Sequence, residues 1–207
     1  MPKKIDITER QETIADAAIS VIEEMGLEGA RLRDVAKAAN VTTGAVTHYF
    51  DGKEAVLEAA LQQIVRRTLA RMTRSEHRKG TTDLHRFIEQ ACRYLPLDEE
   101  GRREWRVWMA FWGRAIVDDR LRAIHQGYYA AFVEGVSKTL IPLCSGTVPP
   151  RQEAVSACAD ALIAAIDGIG TRATLDPDHW PEARQREALD HLLHPLLTTF
   201  IGRAQAL

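Results

Sequence analysis

Thr43, Thr47 and His48 sit within six positions of one another in the run TTGAVTHYF, residues 42–50. Their short hydroxyls and single imidazole can exchange hydrogen bonds with base edges in a DNA major groove, and a threonine methyl can meet the thymine methyl. Gly44 and Ala45 add no bulk, so a helix bearing this face can approach a duplex closely. The face carries no formal charge. Tyr49, Lys53 and Arg33 flank it with donors suited to phosphate oxygens, contacts that fix docking without reading sequence. Thr42 has the side chain of a good N-cap, which would start the helix where these groups are needed. An ordinary helical hairpin, its small residues packed on a neighbour, is the competing reading.

The elements that must position this face are legible around it. Leu32, Val35, Ala36 and Ala39 fall at i, i+3, i+4 and i+7 and predict a short helix with one apolar side. Asn40 tolerates the left-handed backbone of a helix C-terminus, and Val41 fills the corner. Val46 and Phe50 turn the next helix inward at i and i+4. Upstream, a helix over residues 8–25 carries Ile14, Ala17, Ala18, Val21, Ile22 and Met25. Thr8 and Gln11 have capping-box spacing at its start, and Gly26 stops it.

Residues 8–60 resemble the DNA-binding domain of the TetR family of transcriptional regulators. The resemblance rests on the leading amphipathic helix, RDVAKAANV at 33–41, TTGAVTHYF at 42–50 and GKEAVL at 52–57. It implies a DNA-binding role for Arg33, Thr42, Thr43, Gly44, Ala45, Thr47, His48, Tyr49 and Lys53. Thr47 departs from the pattern, because the family often carries an aromatic there. His48 can take over that contact.

The 207 residues have a net charge of −2, 45% hydrophobic and 27% charged content, which describes a folded chain and not a disordered one. Residues 1–80 hold 13 Lys and Arg against 12 Asp and Glu, so DNA affinity must come from local placement of basic groups, Lys3 and Lys4 included. The arginines and lysine at 66, 67, 71, 74, 78 and 79 read as a solvated helical face. No run of eighteen apolar residues occurs, and MPKKIDITER lacks the apolar stretch of a signal peptide, so a cytoplasmic protein without membrane contact is expected. Cys92, Cys144 and Cys158 have neither disulfide-framework nor zinc spacing and read as small hydrophobes. His191 and His194 lack a third ligand in register, and Ser145 lies in CSGT, without the elbow of a hydrolase. No catalytic residue, metal site or cofactor is expected.

Beyond residue 52 the periodicity stays helical. A long fourth helix from Lys53 toward His77 precedes a break at Gly80, with Thr81 and Thr82 placed to cap the next. Helices follow to about 95, over 98–117, over 118–140, over 150–174 and over 181–205, the last containing Pro195. The expected fold is all-α, about nine helices, with a three-helix helix-turn-helix domain over 1–52 and a larger effector-binding and dimerisation domain over 53–207. Trp105, Trp108, Met109 and Trp112 share a helical face. With Tyr128 and Phe132 they could wall a small-molecule pocket or simply fill a core. Leu162, Ile166, Leu189, Leu193, Leu196 and Phe200 belong to two apolar stripes that a second copy could cover across a two-fold axis.

The segment from Trp105 to about Leu197 resembles the C-terminal domain of the BetI-like branch of the same family. The residues that carry this are WRVWMAFW at 105–112, DGIGTR at 167–172 and DPDHWPEA at 176–183. It implies a homodimer on a double-stranded palindromic operator, released by a small effector of unnamed identity. A choline-like amine is one candidate, since aromatic faces suit quaternary ammonium groups. A transcriptional activator, or a ligand-independent all-α DNA binder, is the alternative.

Overall fold

The computed structural model describes residues 7–75, 84–144 and 149–205. Among these the chain forms nine α-helices and one 3-10 turn: α1 Ile7–Gly29, α2 Leu32–Ala38, α3 Thr43–Tyr49, α4 Gly52–Ser75, α5 Leu84–Cys92, α6 Glu99–Ala115, α7 Asp119–Leu140, the turn Ile141–Leu143, α8 Gln152–Leu175 and α9 Glu182–Gln205. Two compact units result, residues 1–67 with 106–123 and residues 68–105 with 124–207. Helices α4, α6 and α7 each contribute to both. His77, Gly80, Thr81, Thr82 and Ser145, like Lys3, Lys4, Arg78 and Lys79, lie outside the described residues.

The first unit is built as its periodicity demands. Ile14, Ala18 and Ile22 of α1, Val35 of α2, Val46 of α3 and Val56 and Ala60 of α4 are almost wholly buried, and α1 packs on both α2 and α3. Gly26 has φ 68°, a value L-residues rarely adopt, so it bends the chain out of the first helix; one further turn follows before Gly29. Asn40, at φ 53°, makes the left-handed turn between α2 and α3. Thr8 lies inside the first turn of α1, which starts at Ile7. Gln11 donates from Nε2 to the Tyr49 carbonyl at 3.4 Å.

The second half of α6 and the start of α7 are fastened to this unit by arginines. Arg106 meets Glu23 at 2.8 Å, and Arg114 meets Glu28 at 2.5 Å and Glu54 at 3.8 Å. Arg120 pairs with Glu58, and Arg67 meets Asp16 at 2.7 Å. Arg67 thus holds α4 to α1, whereas its sequence position suggested a solvated face. Each exposed pair stabilises by no more than about 1 kcal/mol, so their effect lies in neutralising carboxylates.

In the second unit α9 packs on α8 and α5. Leu162, Leu189, Leu193 and Leu197 are essentially inaccessible, and full burial of each such side chain stabilises by roughly 1.5–3 kcal/mol. Of the six residues expected at a dimer interface, Leu162, Ile166, Leu189, Leu193 and Phe200 are therefore already covered by the chain itself, and only Leu196 is half-exposed. The exposed ridge of α8 is a different one: Ala154, Ala157, Ala161, Ala164 and Gly168, at spacings of three and four. By length and composition alone α8 could cross a membrane, but Val155, Ala159 and Ile166 are buried in this unit. Cys92 and Cys158 are buried too, and burial pushes the Cys158 thiol up to about 11.

Trp105 fixes α6 against α8. Its Nε1 donates to the Tyr94 carbonyl at 2.9 Å, and its ring lies over Gly170 so closely that a Cβ there would stand 2.2 Å from ring carbons. Asp98 and Asp118 start α6 and α7 as their positions predict, with Asp98 accepting from Gly101 N at 2.7 Å and Asp118 from Leu121 N at 3.1 Å.

Candidate nucleic-acid interface

Helix α3 begins where its cap dictates. The Thr42 backbone is extended, and its Oγ1 accepts from Ala45 N at 3.1 Å, satisfying one of the free amides of the first turn. From there Thr43, Gly44, Thr47 and His48 are exposed, Ala45 and Tyr49 are half-buried, and Val46 is fully buried. The seven-residue helix is thus anchored by one side chain and presents the others to solvent.

The polar groups of that face are already oriented. Thr47 Oγ1 donates to the Gly44 carbonyl at 3.1 Å, which spends its proton inside the helix and leaves its lone pairs outward. The His48 ring stands edge-on to Tyr49, centroids 5.1 Å apart at 77°. Gln11 braces the Tyr49 carbonyl from α1, a positioning contact that sequence spacing concealed because the partners are 38 residues apart. A Cβ on Gly44 would meet nothing nearer than Thr42 Oγ1 at 3.9 Å. The fold does not require a glycine there.

Basic groups sit around α3. Arg33 is 68% exposed and 3.6 Å from Asp34. Lys53, in the first turn of α4, donates from Nζ to the Glu28 carbonyl at 3.1 Å, which holds the ammonium in place and leaves two N–H groups for phosphate. The first unit contains 13 Lys and Arg against 13 Asp and Glu, so it gains nothing from net charge. Its acidic residues 16, 23, 28, 54 and 58 are paired with arginines, which limits their repulsion of a phosphate backbone.

This exposed, uncharged helix, capped, braced and flanked by cations, is what major-groove entry requires. Residues 14–60 match the family model described as bacterial regulatory proteins, tetR family. Residues 80–198 match the model of the BetI-type transcriptional repressor C-terminal domain. The chain belongs to the TetR family of DNA-binding transcriptional regulators. Among its TetR-family relatives are the regulator PksA of Bacillus subtilis strain 168, 30% identical over 178 residues spanning 86% of this chain and 84% of that protein, and the regulator BetI of Burkholderia mallei, 32% identical over 176 residues spanning 80% and 82%. A solved transcriptional regulator from Rhodococcus sp. Rha1 is 31% identical with a TM-score of 0.78, covering 91% of this chain and 96% of its own. A Saccharomonospora viridis regulator, solved with choline, shares the fold at 21% identity and TM-score 0.77, covering 90% and 96%.

The residues expected to wall a TetR-type effector pocket fall in both units. Trp108, Met109 and Trp112 are in the first, where Trp108 is buried and tilted 59° to Trp112 with centroids 6.3 Å apart. Trp105, Tyr128 and Phe132 are in the second; Trp105 is buried, and Tyr128 and Phe132 are half-buried.

Substituting Lys53 with alanine should weaken binding to every duplex alike. The slope of log affinity against log salt should fall by about one unit per lost phosphate contact, two for a symmetric dimer. Titration of operator and random duplex across a salt series reads this directly. A loss restricted to one sequence would make Lys53 a base reader.

Proposed function

We propose that the chain is a homodimeric repressor that grips a palindromic operator in the cytoplasm and releases it when a small effector binds. The observation that carries this reading is the uncharged face of α3, exposed on a closed three-helix core. Thr43, Thr47 and His48 read base edges, Gly44 and Ala45 admit the helix to the groove, and Thr42 starts it. Arg33, Tyr49 and Lys53 hold phosphates.

Two copies of α3 must stand roughly 34–36 Å apart to enter successive major grooves. The α8 ridge supports such pairing: Ala154, Ala157, Ala161, Ala164 and Gly168 are small and exposed, and Leu192 on α9 is 52% exposed beside half-exposed Leu196. Small residues let the helices of two copies approach closely. An effector held by the aromatic residues of the C-terminal domain, Tyr128 and Phe132 among them, acts by preferring a conformation whose α3 helices no longer match the grooves. Its leverage equals its differential affinity for the two states. Helices α4, α6 and α7, which contribute to both units, supply the covalent continuity for that coupling.

Ala161→Arg places a charge on the ridge without touching the core. Sedimentation velocity should show the wild-type chain as a dimer and the variant as a folded monomer, with operator affinity falling by at least tenfold. A variant that stays dimeric, or a monomer that binds the operator undiminished, removes α8 from the interface.

A further inference from the structure

Within the second unit, Asp167 of α8 is a carboxylate without a cation among the described residues. Tyr129 of α7 donates its hydroxyl to Oδ2 at 2.5 Å, and no lysine, arginine or histidine pairs with Asp167 among the described residues. The other oxygen, Oδ1, has no bond among those described. A shielded carboxylate costs free energy unless charge and hydrogen bonds compensate it, and one phenol is a partial compensation.

The aromatic side of the same place is α7. His125 stacks on Tyr129 with centroids 4.5 Å apart and planes 25° from parallel, and Phe132 meets Tyr129 edge-on at 6.0 Å. Between Leu121 and Val136 not one α7 residue is buried, although the stretch carries Ile124, His125, Tyr128, Tyr129, Phe132 and Val133. A helix with that many large side chains and no buried one over four turns is not closed over by its own core. Solvent reaches the aromatic rings beside the carboxylate.

We infer that Asp167 anchors a protonated amine, its N–H donated to Oδ1 and its apolar substituents laid against Tyr129, Phe132 and His125. The inference rests on the effector reading above and gives that effector a chemical class. A carboxylate supplies the opposite charge, aromatic faces attract a cation, and an open acceptor can take a donor hydrogen, which a protonated amine has and a quaternary ammonium lacks. Tyr129 is a positioning residue here, holding the carboxylate rotamer from the far oxygen.

The titration of Asp167 agrees. Burial raises its pKa to about 6 against the lowering effect of the Tyr129 bond, and no charged group on any neighbouring helix is among the causes. The other titratable groups at the site are the Tyr129 phenol and His125, and burial lowers the His125 pKa from its ordinary 6.5, so the imidazole is neutral at pH 8, where Asp167 is ionised. Because the folded chain holds this proton more tightly than the unfolded chain, stability falls as pH rises from about 4 through about 6. The amine then binds best above that range.

Thermal unfolding of the full-length chain with tert-butylammonium, tetramethylammonium and tert-butanol at pH 8 and pH 5 tests this. The wild-type melting temperature should rise with tert-butylammonium at pH 8, far less at pH 5, and little with the other two probes. Asp167→Asn should lose the response while melting above the wild-type protein at pH 8 without ligand, since the unpaired charge is gone. Tyr129→Phe should keep a weakened response. An equal shift from tetramethylammonium or tert-butanol, an Asn variant that still responds, or one that melts lower at pH 8 overturns the assignment. Operator binding in the same samples separates the two claims: a bound amine that leaves the operator occupied refutes effector-driven release alone, whereas release by other compounds with no amine response refutes the amine site alone.

Discussion

Gly170→Ala is expected to destabilise the protein by about 1–4 kcal/mol, lowering its melting temperature by roughly 2–16 °C. The added Cβ would stand 2.2 Å from Trp105 ring carbons, well inside any tolerable contact, and the residue across from it is a rigid indole and not a flexible chain end. The ring must swing away, and its Nε1 bond to Tyr94 O at 2.9 Å goes with it. Overpacking contributes about 1–3 kcal/mol and the lost hydrogen bond about 1, against which the better helix propensity of alanine returns no more than about 1. Trp105→Phe alone should also destabilise, by leaving a void. Combined with Gly170→Ala it should cost less than the sum of the two, because the smaller ring makes room for the methyl. Calorimetric or optical melting of the four proteins forms the cycle, and additive losses would show that the two residues do not share the space.

Gly44 should behave in the opposite way. Alanine there meets open space inside the protein, so the fold gains about 0.5–1 kcal/mol from the stiffer helix. Leucine should be tolerated as well. Both should weaken the operator complex, leucine by more than alanine, because the added atoms project into the groove. The expected loss is about 1–3 kcal/mol per half-site, the scale of one spoiled base contact. Fluorescence anisotropy on a duplex selected from a random pool gives the affinity, and melting of the same preparation gives the stability. An increase in stability alongside a loss in affinity is the signature of a glycine retained for its ligand. Unchanged affinity for Gly44→Leu would put α3 outside the groove.

The helix-turn-helix was legible because its determinants are local. The Thr42 cap, the Asn40 turn, the Gly26 stop and the inward pair Val46 and Phe50 each act over a few residues, and periodicity reports them. The C-terminal stripes were legible as apolar faces, but periodicity cannot say what covers such a face. Leu162, Leu189 and Leu193 have the spacing of an interface and the burial of a core. The ridge that remains exposed, Ala154, Ala157, Ala161, Ala164 and Gly168, is made of small residues that add little to an apolar periodicity. Asp167 fell inside a recognised segment without being singled out, since its side-chain partner among the described residues, Tyr129, is 38 residues away. Gln11 was misread for the same reason: its capping-box spacing was sound, but a carbonyl of α3 brought near by the fold won the bond.

The hydrogen bond from Thr47 Oγ1 to the Gly44 carbonyl narrows the letters this helix can spell. A hydroxyl that has given its proton to its own helix can only accept. In the major groove such an acceptor is met by the donating exocyclic amino groups, N6 of adenine and N4 of cytosine, while guanine presents O6 and N7, which need a donor. In the proposed role of Thr47 as a base reader, an amino-bearing base therefore suits it best, and a guanine at that place in the half-site would require the hydroxyl to break with Gly44 first.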